Sequence, residues 1–176
     1  MISAEEFKKL IDFAYDAHQL HVNGHGSTVR QRKSVPFVTH PIWCALMFLN
    51  DTSIPQDQRE LGFKVLLLHD VLEDTTSQLP NDLSEDVVGL VREMTYKNFA
   101  EEKELVTHKS IFIQFLKAID KVATIYDNHG NDTVLKPERK NDWRQYTELL
   151  LKNTETEFGH TQSYKTAKTI VENCGW

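Results

Sequence analysis

The sequence predicts an all-α protein, a compact bundle of several helices. Apolar residues recur at three- and four-residue spacing in most segments, as they do on the buried face of a helix. No segment shows the apolar–polar alternation of a half-buried strand, and no internal repeat is visible. At 176 residues the chain is long enough to close one hydrophobic core, so we expect a single domain over residues 1–176.

The first helices are indicated by their start signals and apolar faces. Ser3 and Glu6 form a capping-box pattern ahead of an apolar stripe. Residues 21–37 are rich in Gly, Ser and Asn and predict a loop, after which residues 39–41 (THP) have the composition of a helix start. A helix expected from about Gln56 is apolar on most sides, so it should lie at the centre of the bundle.

The second half of the chain predicts further helices separated by polar segments. Ser84 is placed to cap a helix that carries the next apolar stripe. Residues 109–128 predict a strongly apolar helix, and residues 129–141 predict a polar linker. Residues 142–155 and 161–176 predict the closing helices.

Composition and charge exclude several classes of function. The net charge is −6 and no segment is strongly basic, so we expect no extended nucleic-acid surface, although a pocket could still bind a small anion. No apolar run is long enough to cross a bilayer and the N-terminus lacks a signal-peptide pattern, which favours a cytoplasmic protein without membrane contact. Two cysteines are too few for a disulfide framework, and Cys44 is expected to be a buried thiol.

The residues with catalytic or metal-binding potential stand beside apolar segments. In VLLLHDVLEDT, residues 65–75, an apolar block runs directly into His69 and Asp70; His40 lies at a helix start and Asp120 lies in the middle of an apolar helix. Each one alone has an ordinary explanation as a cap or a surface residue. A carboxylate next to buried apolar residues, however, needs a cation or several hydrogen-bond donors. Two imidazoles and two carboxylates suit a divalent ion such as Mn²⁺, Fe²⁺ or Zn²⁺, but sequence spacing alone leaves their convergence open.

Three segments carry a resemblance to a known family. HPIWCAL (40–46), LLLHDVLEDT (66–75) and KAIDK (117–121) resemble the His…His-Asp…Asp signature of the HD-domain metal-dependent phosphohydrolases. RKSVPFVTHP (32–41) and LLHDVLEDT are most similar to the hydrolase domain of the RelA/SpoT proteins and its stand-alone relatives of the Mesh type. These enzymes remove pyrophosphate from the 3′ position of (p)ppGpp, the alarmone of the stringent response. The resemblance covers roughly residues 13–126 and implies an HD-domain helical bundle with hydrolase activity.

The resemblance also implies roles for individual residues. The positions that match the metal ligands, usually of one Mn²⁺ with Fe²⁺, Zn²⁺ or Mg²⁺ as other possibilities, are His40, His69, Asp70 and Asp120. Glu73 and Asp74 match the acidic pair that positions or deprotonates the attacking water. The positions that match contacts to a small nucleotide substrate are Arg32, Lys33, Ser34 and Thr124. For Glu73 and Asp74, the alternative is that they form the solvated end of a helix. For Arg32 and Lys33, the alternative is that they lie in a solvated basic loop.

The chain departs from the family pattern at positions that face the nucleotide. The family asparagine four residues after the last metal-binding aspartate is Thr124 here, and a nearby arginine is replaced by Tyr126. The loop before residue 32 is longer than in the family and adds His21 and His25, which we interpret as loop residues. The substrate is therefore open between (p)ppGpp and another nucleotide, such as a nucleoside monophosphate or NADPH. A non-catalytic nucleotide-binding HD module is a third possibility, but the intact acidic pair argues against it.

Overall fold

In the computed structural model, the described residues (2–19, 35–128 and 137–174) form nine α-helices and one 3₁₀ turn. The helices are α1 (Ala4–Gln19), α2 (Thr39–Leu49), α3 (Gln56–Leu68), α4 (Val71–Asp74), α5 (Glu85–Met94), α6 (Phe99–Leu105), α7 (Ile111–Asn128), α8 (Pro137–Phe158) and α9 (Gln162–Asn173). The 3₁₀ turn, Val106–His108, connects α6 to α7. The helices pack into a bundle, and the all-α prediction is confirmed.

Two of the predicted helix caps are present. Glu6 N donates to Ser3 Oγ (3.1 Å) at the start of α1, and Val87 N donates to Ser84 Oγ (3.4 Å) at the start of α5. The Glu6 carboxylate lies 2.5 Å from Lys64 Nζ, so this residue ties α1 to α3. The capping pattern thus identifies the start of α1 correctly. The position of the Glu6 side chain, however, is set by its tertiary contact with Lys64.

Helix α7 lies at the centre of the bundle, where it packs against α2, α3, α5, α8 and α9. Twelve of its eighteen residues are buried. Helix α3, for which the sequence predicts the central place, is buried only in its second half, where Val65–Leu68 are all fully buried. Its first turn is exposed, so α3 reaches the core from the surface and its C-terminal end lies deepest. Cys44 of α2 is fully buried, as predicted.

Helix α8 begins earlier than the sequence predicts. Residues 137–141 were expected in the polar linker, but α8 starts at Pro137, so the linker prediction is wrong for these five residues. Proline suits the first position of a helix because its fixed φ is helical and its missing N–H would have no partner there. The rest of that linker, residues 129–136, lies outside the described residues.

Helix α6 is an element that the sequence analysis did not predict. Asn98 caps it, because its side chain accepts hydrogen bonds from Ala100 N and Glu101 N, both at 3.0 Å. Glu101 Oε2 in turn accepts from Lys97 N at 2.6 Å. The Asn-x-x-Glu spacing is therefore a capping signal that could have located this helix. None of the helices in the described ranges is both long and apolar enough to cross a membrane.

Gly62 sets the distance between α2 and α3. A Cβ at this position would lie 2.6 Å from Cδ1 of the fully buried Phe48 and nearer still to Cε1. Gly62→Ala should therefore destabilise the protein by about 1–3 kcal/mol through overpacking. The free energy of unfolding in urea measures this change.

Gly89→Ala is the matched control for that substitution. Gly89 is exposed in α5, and an added Cβ would meet nothing within 4 Å. The alanine should stabilise the protein by about 0.5–1 kcal/mol because glycine loses more backbone entropy in a helix. Equal stability of Gly62→Ala and the unmodified chain would show that the contact between α2 and α3 adjusts freely.

Candidate metal and catalytic site

Four ionisable side chains from three parts of the chain meet inside the bundle. His40 lies in the first turn of α2, Asp120 lies in α7, and His69 and Asp70 lie between α3 and α4. His40 Nε2 is 3.0 Å from Asp120 Oδ1, and His69 Nε2 is 3.0 Å from Asp70 Oδ1. The two pairs also approach each other: His69 Nε2 is 3.5 Å from Asp120 Oδ1, and His40 Nε2 is 3.7 Å from Asp70 Oδ2. All four side chains are buried.

The junction between α3 and α4 delivers two of these side chains from a rigid base. His69 (φ −59°, ψ −36°) and Asp70 (φ −84°, ψ −9°) keep right-handed helical backbone angles. Asp74 N donates to Asp70 O at 2.8 Å, so the chain continues almost helically into α4. Because Val65–Leu68 are locked in the core, the following two residues have little freedom to move. The apolar block before His69 and Asp70 therefore anchors the cluster.

A backbone hydrogen bond fixes the orientation of the His69 ring. His69 Nδ1 lies 2.7 Å from Leu66 O, and because a carbonyl can only accept, Nδ1 carries the hydrogen. In the neutral ring, the lone pair of Nε2 then points towards the carboxylates. His69 Nε2 is buried 3.0 Å from Asp70 Oδ1 and 3.5 Å from Asp120 Oδ1, so a cation at this point would meet a ring nitrogen and carboxylate oxygens together. Ligand atoms of His40, His69 and Asp120 lie within 4.8 Å of one another, so these three residues could hold a divalent metal ion.

Two lysines face the other side of Asp120. Lys117 Nζ lies 3.1 Å and Lys121 Nζ lies 3.2 Å from Asp120 Oδ2, while Oδ1 faces the histidines. Burial raises the pKa of Asp120, but Lys121 and Lys117 more than offset this and hold it well below its usual range. Asp120 is therefore ionised at neutral pH. Its Oδ2 contacts Lys117 and Lys121, and its Oδ1 contacts His40.

Glu102 of α6 balances the charge of both lysines. Its Oε2 lies 3.0 Å from Lys121 Nζ and 3.4 Å from Lys117 Nζ. Burial lowers the pKa of Lys117, but Glu102 and Asp120 raise it well above its usual value, so the fully buried ammonium stays charged. This network of two lysines and Glu102 around Asp120 was not predicted from the sequence. Lys117 and Lys121 both lie in the KAIDK segment (117–121), where an aspartate flanked by cations in an apolar helix is a signal for a buried ion-pair network. Glu102 could not be found in this way, because it lies in α6, which was not predicted.

Glu73 and Asp74 lie one helical turn beyond His69 and Asp70 and line the same cavity as the cluster. Glu73 Oε1 accepts a hydrogen bond from Tyr96 N (2.7 Å) and lies 3.8 Å from Lys117 Nζ. Burial raises the pKa of Glu73, although Lys117 opposes the shift. A carboxyl group with a raised pKa can exchange a proton closer to neutral pH than an ordinary glutamate can.

The cavity beside the cluster has a volume of about 450 Å³. Its described wall combines six carboxylates with three cations, and the buried Lys117 behind it adds a fourth positive charge. The wall therefore has an excess of two negative charges, which equals the charge of one divalent ion. An anionic ligand would be repelled by this part of the wall unless a metal ion or further cations were present.

Thr124 and Tyr126, at which the sequence departs from the pattern that it resembles, lie in different surroundings. Thr124 lines the cavity, and its Oγ1 donates to Asp120 O at 3.2 Å. Tyr126 is 48% exposed and stacks on Trp43 with ring centroids 6.3 Å apart. Tyr126, in place of an arginine, thus forms an aromatic pair with Trp43 at the surface. Thr124, in place of an asparagine, changes the side chains that line the cavity.

The basic loop predicted to contact substrate lies outside the described residues. This applies to Arg32, Lys33 and Ser34, and also to His21 and His25. Their roles stay predictions.

The comparisons with known proteins support the fold. No protein-family model matches the chain, and no curated protein matches it at a significant level. The chain is similar to a solved structure of a metazoan ortholog of SpoT, which hydrolyzes ppGpp and plays a role in starvation responses. The TM-score is 0.74 at 21% sequence identity, over 99% of this chain and 98% of that chain. The chain therefore has the fold of this structure along its whole length.

Proposed function

We propose that the chain is a metal-dependent phosphohydrolase that removes pyrophosphate from the 3′ position of (p)ppGpp or of a closely related nucleotide. The observation that carries the proposal is the meeting of His40, His69, Asp70 and Asp120 in one buried cluster, where His69 Nε2 lies 3.0 Å from Asp70 Oδ1 and 3.5 Å from Asp120 Oδ1. The fold shared with a ppGpp-hydrolysing protein supports the choice of substrate class.

The four cluster residues are assigned to one divalent metal ion, with Mn²⁺ as the first choice. Imidazole nitrogens with carboxylate oxygens form a ligand set that suits Mn²⁺, Fe²⁺ or Zn²⁺. A bound divalent ion would lower the pKa of a water molecule and polarise a phosphoryl oxygen. Asp120 would offer Oδ1 to the ion, since Oδ2 is held by Lys117 and Lys121.

Glu73 and Asp74 are assigned to the attacking water. The hydrogen bond from Tyr96 N to Oε1 fixes the orientation of the Glu73 carboxylate, and burial raises its pKa. Glu73 thus accepts a proton from the water as its oxygen attacks phosphorus. The bond between phosphorus and the 3′ oxygen breaks, which leaves GDP or GTP and releases pyrophosphate. The nucleotide contacts assigned to Arg32, Lys33, Ser34 and Thr124 belong to the same proposal.

A phosphatase for a less highly charged nucleotide is the second candidate. The described cavity wall has more carboxylates than cations, which favours a substrate with fewer phosphates, such as a nucleoside monophosphate. NADPH, which has a phosphate on one ribose, belongs to the same group of alternatives. A non-catalytic nucleotide-binding module is less consistent with a buried, oriented Glu73 beside the cluster.

Product analysis separates these functions. The purified protein loaded with Mn²⁺ is incubated with ppGpp, nucleoside monophosphates and NADPH in parallel reactions. We expect pyrophosphate and GDP from ppGpp. Inorganic phosphate from another nucleotide, with ppGpp untouched, would move the protein to the second candidate. No product from any of the nucleotides would contradict both hydrolase assignments.

Asp70→Ala tests the assignment of the metal ligands. The substitution removes a carboxylate 3.0 Å from His69 Nε2, so the affinity for Mn²⁺ should fall by at least about tenfold and turnover should be lost. Elemental analysis after dialysis measures the metal content, and circular dichroism reports the fold. Asp57→Ala, in the exposed first turn of α3, is the matched control. Full metal content in Asp70→Ala would remove this residue from the site.

Glu73→Gln tests the acidic pair. The amide keeps the size of the side chain but cannot take a proton, so turnover should fall by about 10²–10⁴-fold while Mn²⁺ stays bound. Steady-state kinetics and metal analysis on the same sample separate these two effects. Glu93→Gln, at a partly exposed glutamate paired with Lys109 (3.6 Å), should leave both quantities unchanged. Ordinary turnover in Glu73→Gln would make its role purely structural.

A further inference from the structure

The ammonium group of Lys117, which is fully buried in α7, contacts three carboxylates from three helices. Its Nζ lies 3.1 Å from Asp120 Oδ2, 3.4 Å from Glu102 Oε2 and 3.8 Å from Glu73 Oε1. A buried ammonium group needs such partners, because the protein interior solvates charge poorly. Two of the partners have roles in the proposed reaction, Asp120 as a metal ligand and Glu73 as the group that accepts a proton from water. One buried cation therefore lies between the metal ligand and the proton acceptor.

Tyr96 contacts both Lys117 and Glu73. Its backbone N–H donates to Glu73 Oε1 at 2.7 Å, and its ring centroid lies 5.3 Å from Lys117 Nζ. The face of an aromatic ring attracts an ammonium group. Tyr96 is itself buried, so packing holds it in place. Tyr96 therefore fixes the contact between the Lys117 ammonium group and Glu73 Oε1.

These contacts use one oxygen of each carboxylate. On Asp120, Oδ2 contacts Lys117 and Oδ1 contacts His40. On Glu73, Oε1 contacts Tyr96 N and Lys117, while Oε2 forms no hydrogen bond or ion pair with the described residues. Glu73 and Asp120 both line the cavity, whereas Lys117 lies behind it. Lys117 thus contacts the oxygen of each carboxylate that the proposed reaction does not use.

Lys121 provides the comparison. Its Nζ lies 3.0 Å from Glu102 Oε2 and 3.2 Å from Asp120 Oδ2. Within the part of the chain that the structure describes, it forms no ion pair with Glu73. The two lysines therefore share Asp120 and Glu102 as partners and differ at Glu73.

We propose that Lys117 is a positioning residue that joins the metal ligand to the proton acceptor. It holds Asp120 Oδ2 and Glu73 Oε1 against one ammonium group and so leaves Oδ1 for the metal ion and Oε2 for the attacking water. Without the ammonium charge the two carboxylates would repel each other, and the proton acceptor would lose its place. The role of Glu73 in this inference rests on the proposed function, whereas its contact with Lys117 does not.

A double-mutant cycle tests the contact without an assay of activity. The equilibrium constant of urea unfolding is measured at saturating Mn²⁺ for Lys117→Met, Glu73→Gln and the double variant. We expect the two substitutions to be coupled by about fivefold or more in this constant. The parallel cycle of Lys121→Met with Glu73→Gln should show coupling of less than about twofold, because these side chains form no ion pair.

Turnover of ppGpp at saturating Mn²⁺ tests the positioning. Lys117→Met should lower kcat by about tenfold or more beyond the effect of Lys121→Met, with similar KM in the two variants. In the Glu73→Gln background this difference should disappear, because no proton acceptor is left to position. Lys168→Met, at an exposed lysine 3.8 Å from Glu155, should leave kcat and KM unchanged.

Tyr96 provides a second pair of variants if Lys117→Met does not fold. Tyr96→Leu keeps the backbone N–H that donates to Glu73 but removes the ring beside Lys117, whereas Tyr96→Phe keeps the ring. In the same unfolding cycle with Glu73→Gln, Tyr96→Leu should show coupling of about threefold or more and Tyr96→Phe less than about twofold.

The results separate this inference from the proposed function. Coupling of less than about twofold between Glu73→Gln and Lys117→Met, or Tyr96→Leu in its place, overturns the inference. So does an equal loss of kcat in the two lysine variants. Coupling without hydrolysis of any nucleotide would contradict the hydrolase and leave the contact through Lys117 intact. Hydrolysis without coupling would do the reverse.

Discussion

The ionised carboxylate of Asp120, buried in the central helix, is the constraint on which the site depends. A buried charge is tolerated only when cations and hydrogen bonds compensate it. Lys117 and Lys121 approach one oxygen at 3.1 and 3.2 Å, and His40 approaches the other at 3.0 Å. Glu102 then balances the lysines. Charge compensation thus links α2, α6 and α7 around a single carboxylate.

This arrangement divides the surroundings of Asp120 into two sides with different character. On the lysine side, ammonium and carboxylate groups neutralise each other. On the histidine side, two imidazoles and Asp70 stand close together, and the buried His69 Nε2 lies 3.0 Å from Asp70 Oδ1. A divalent cation bound on the histidine side would compensate these carboxylates without disturbing the lysine side. The lysines are accordingly part of the site even though they do not face its histidines, because they keep Asp120 ionised and fix which oxygen is available.

The local signals in the sequence were informative where neighbouring residues decide the structure. Ser3 and Ser84 cap the helices that they predict, and the apolar block at Val65–Leu68 is fully buried. The helix start at Pro137 was missed because polar composition outweighed a favourable proline position. Helix α6 was missed although Asn98 and Glu101 carry a capping signal. The buried residue of α6 is the carboxylate Glu102, and residues 137–139 at the start of α8 are exposed, so neither segment has the buried apolar stripe that predicts a helix.

The sequence by itself determined the all-α class and most of the helices, and its resemblance to a known motif singled out His40, His69, Asp70 and Asp120 as candidates without showing that they meet. These properties follow from periodicity, capping and a motif, all of which are local. Only the tertiary structure decided that Lys117, Lys121 and Glu102 surround Asp120 and that Glu73 is held by Tyr96 N. Such contacts join helices distant in the chain. They depend on how the helices pack, because the burial of each charge is known only when its neighbours are in place.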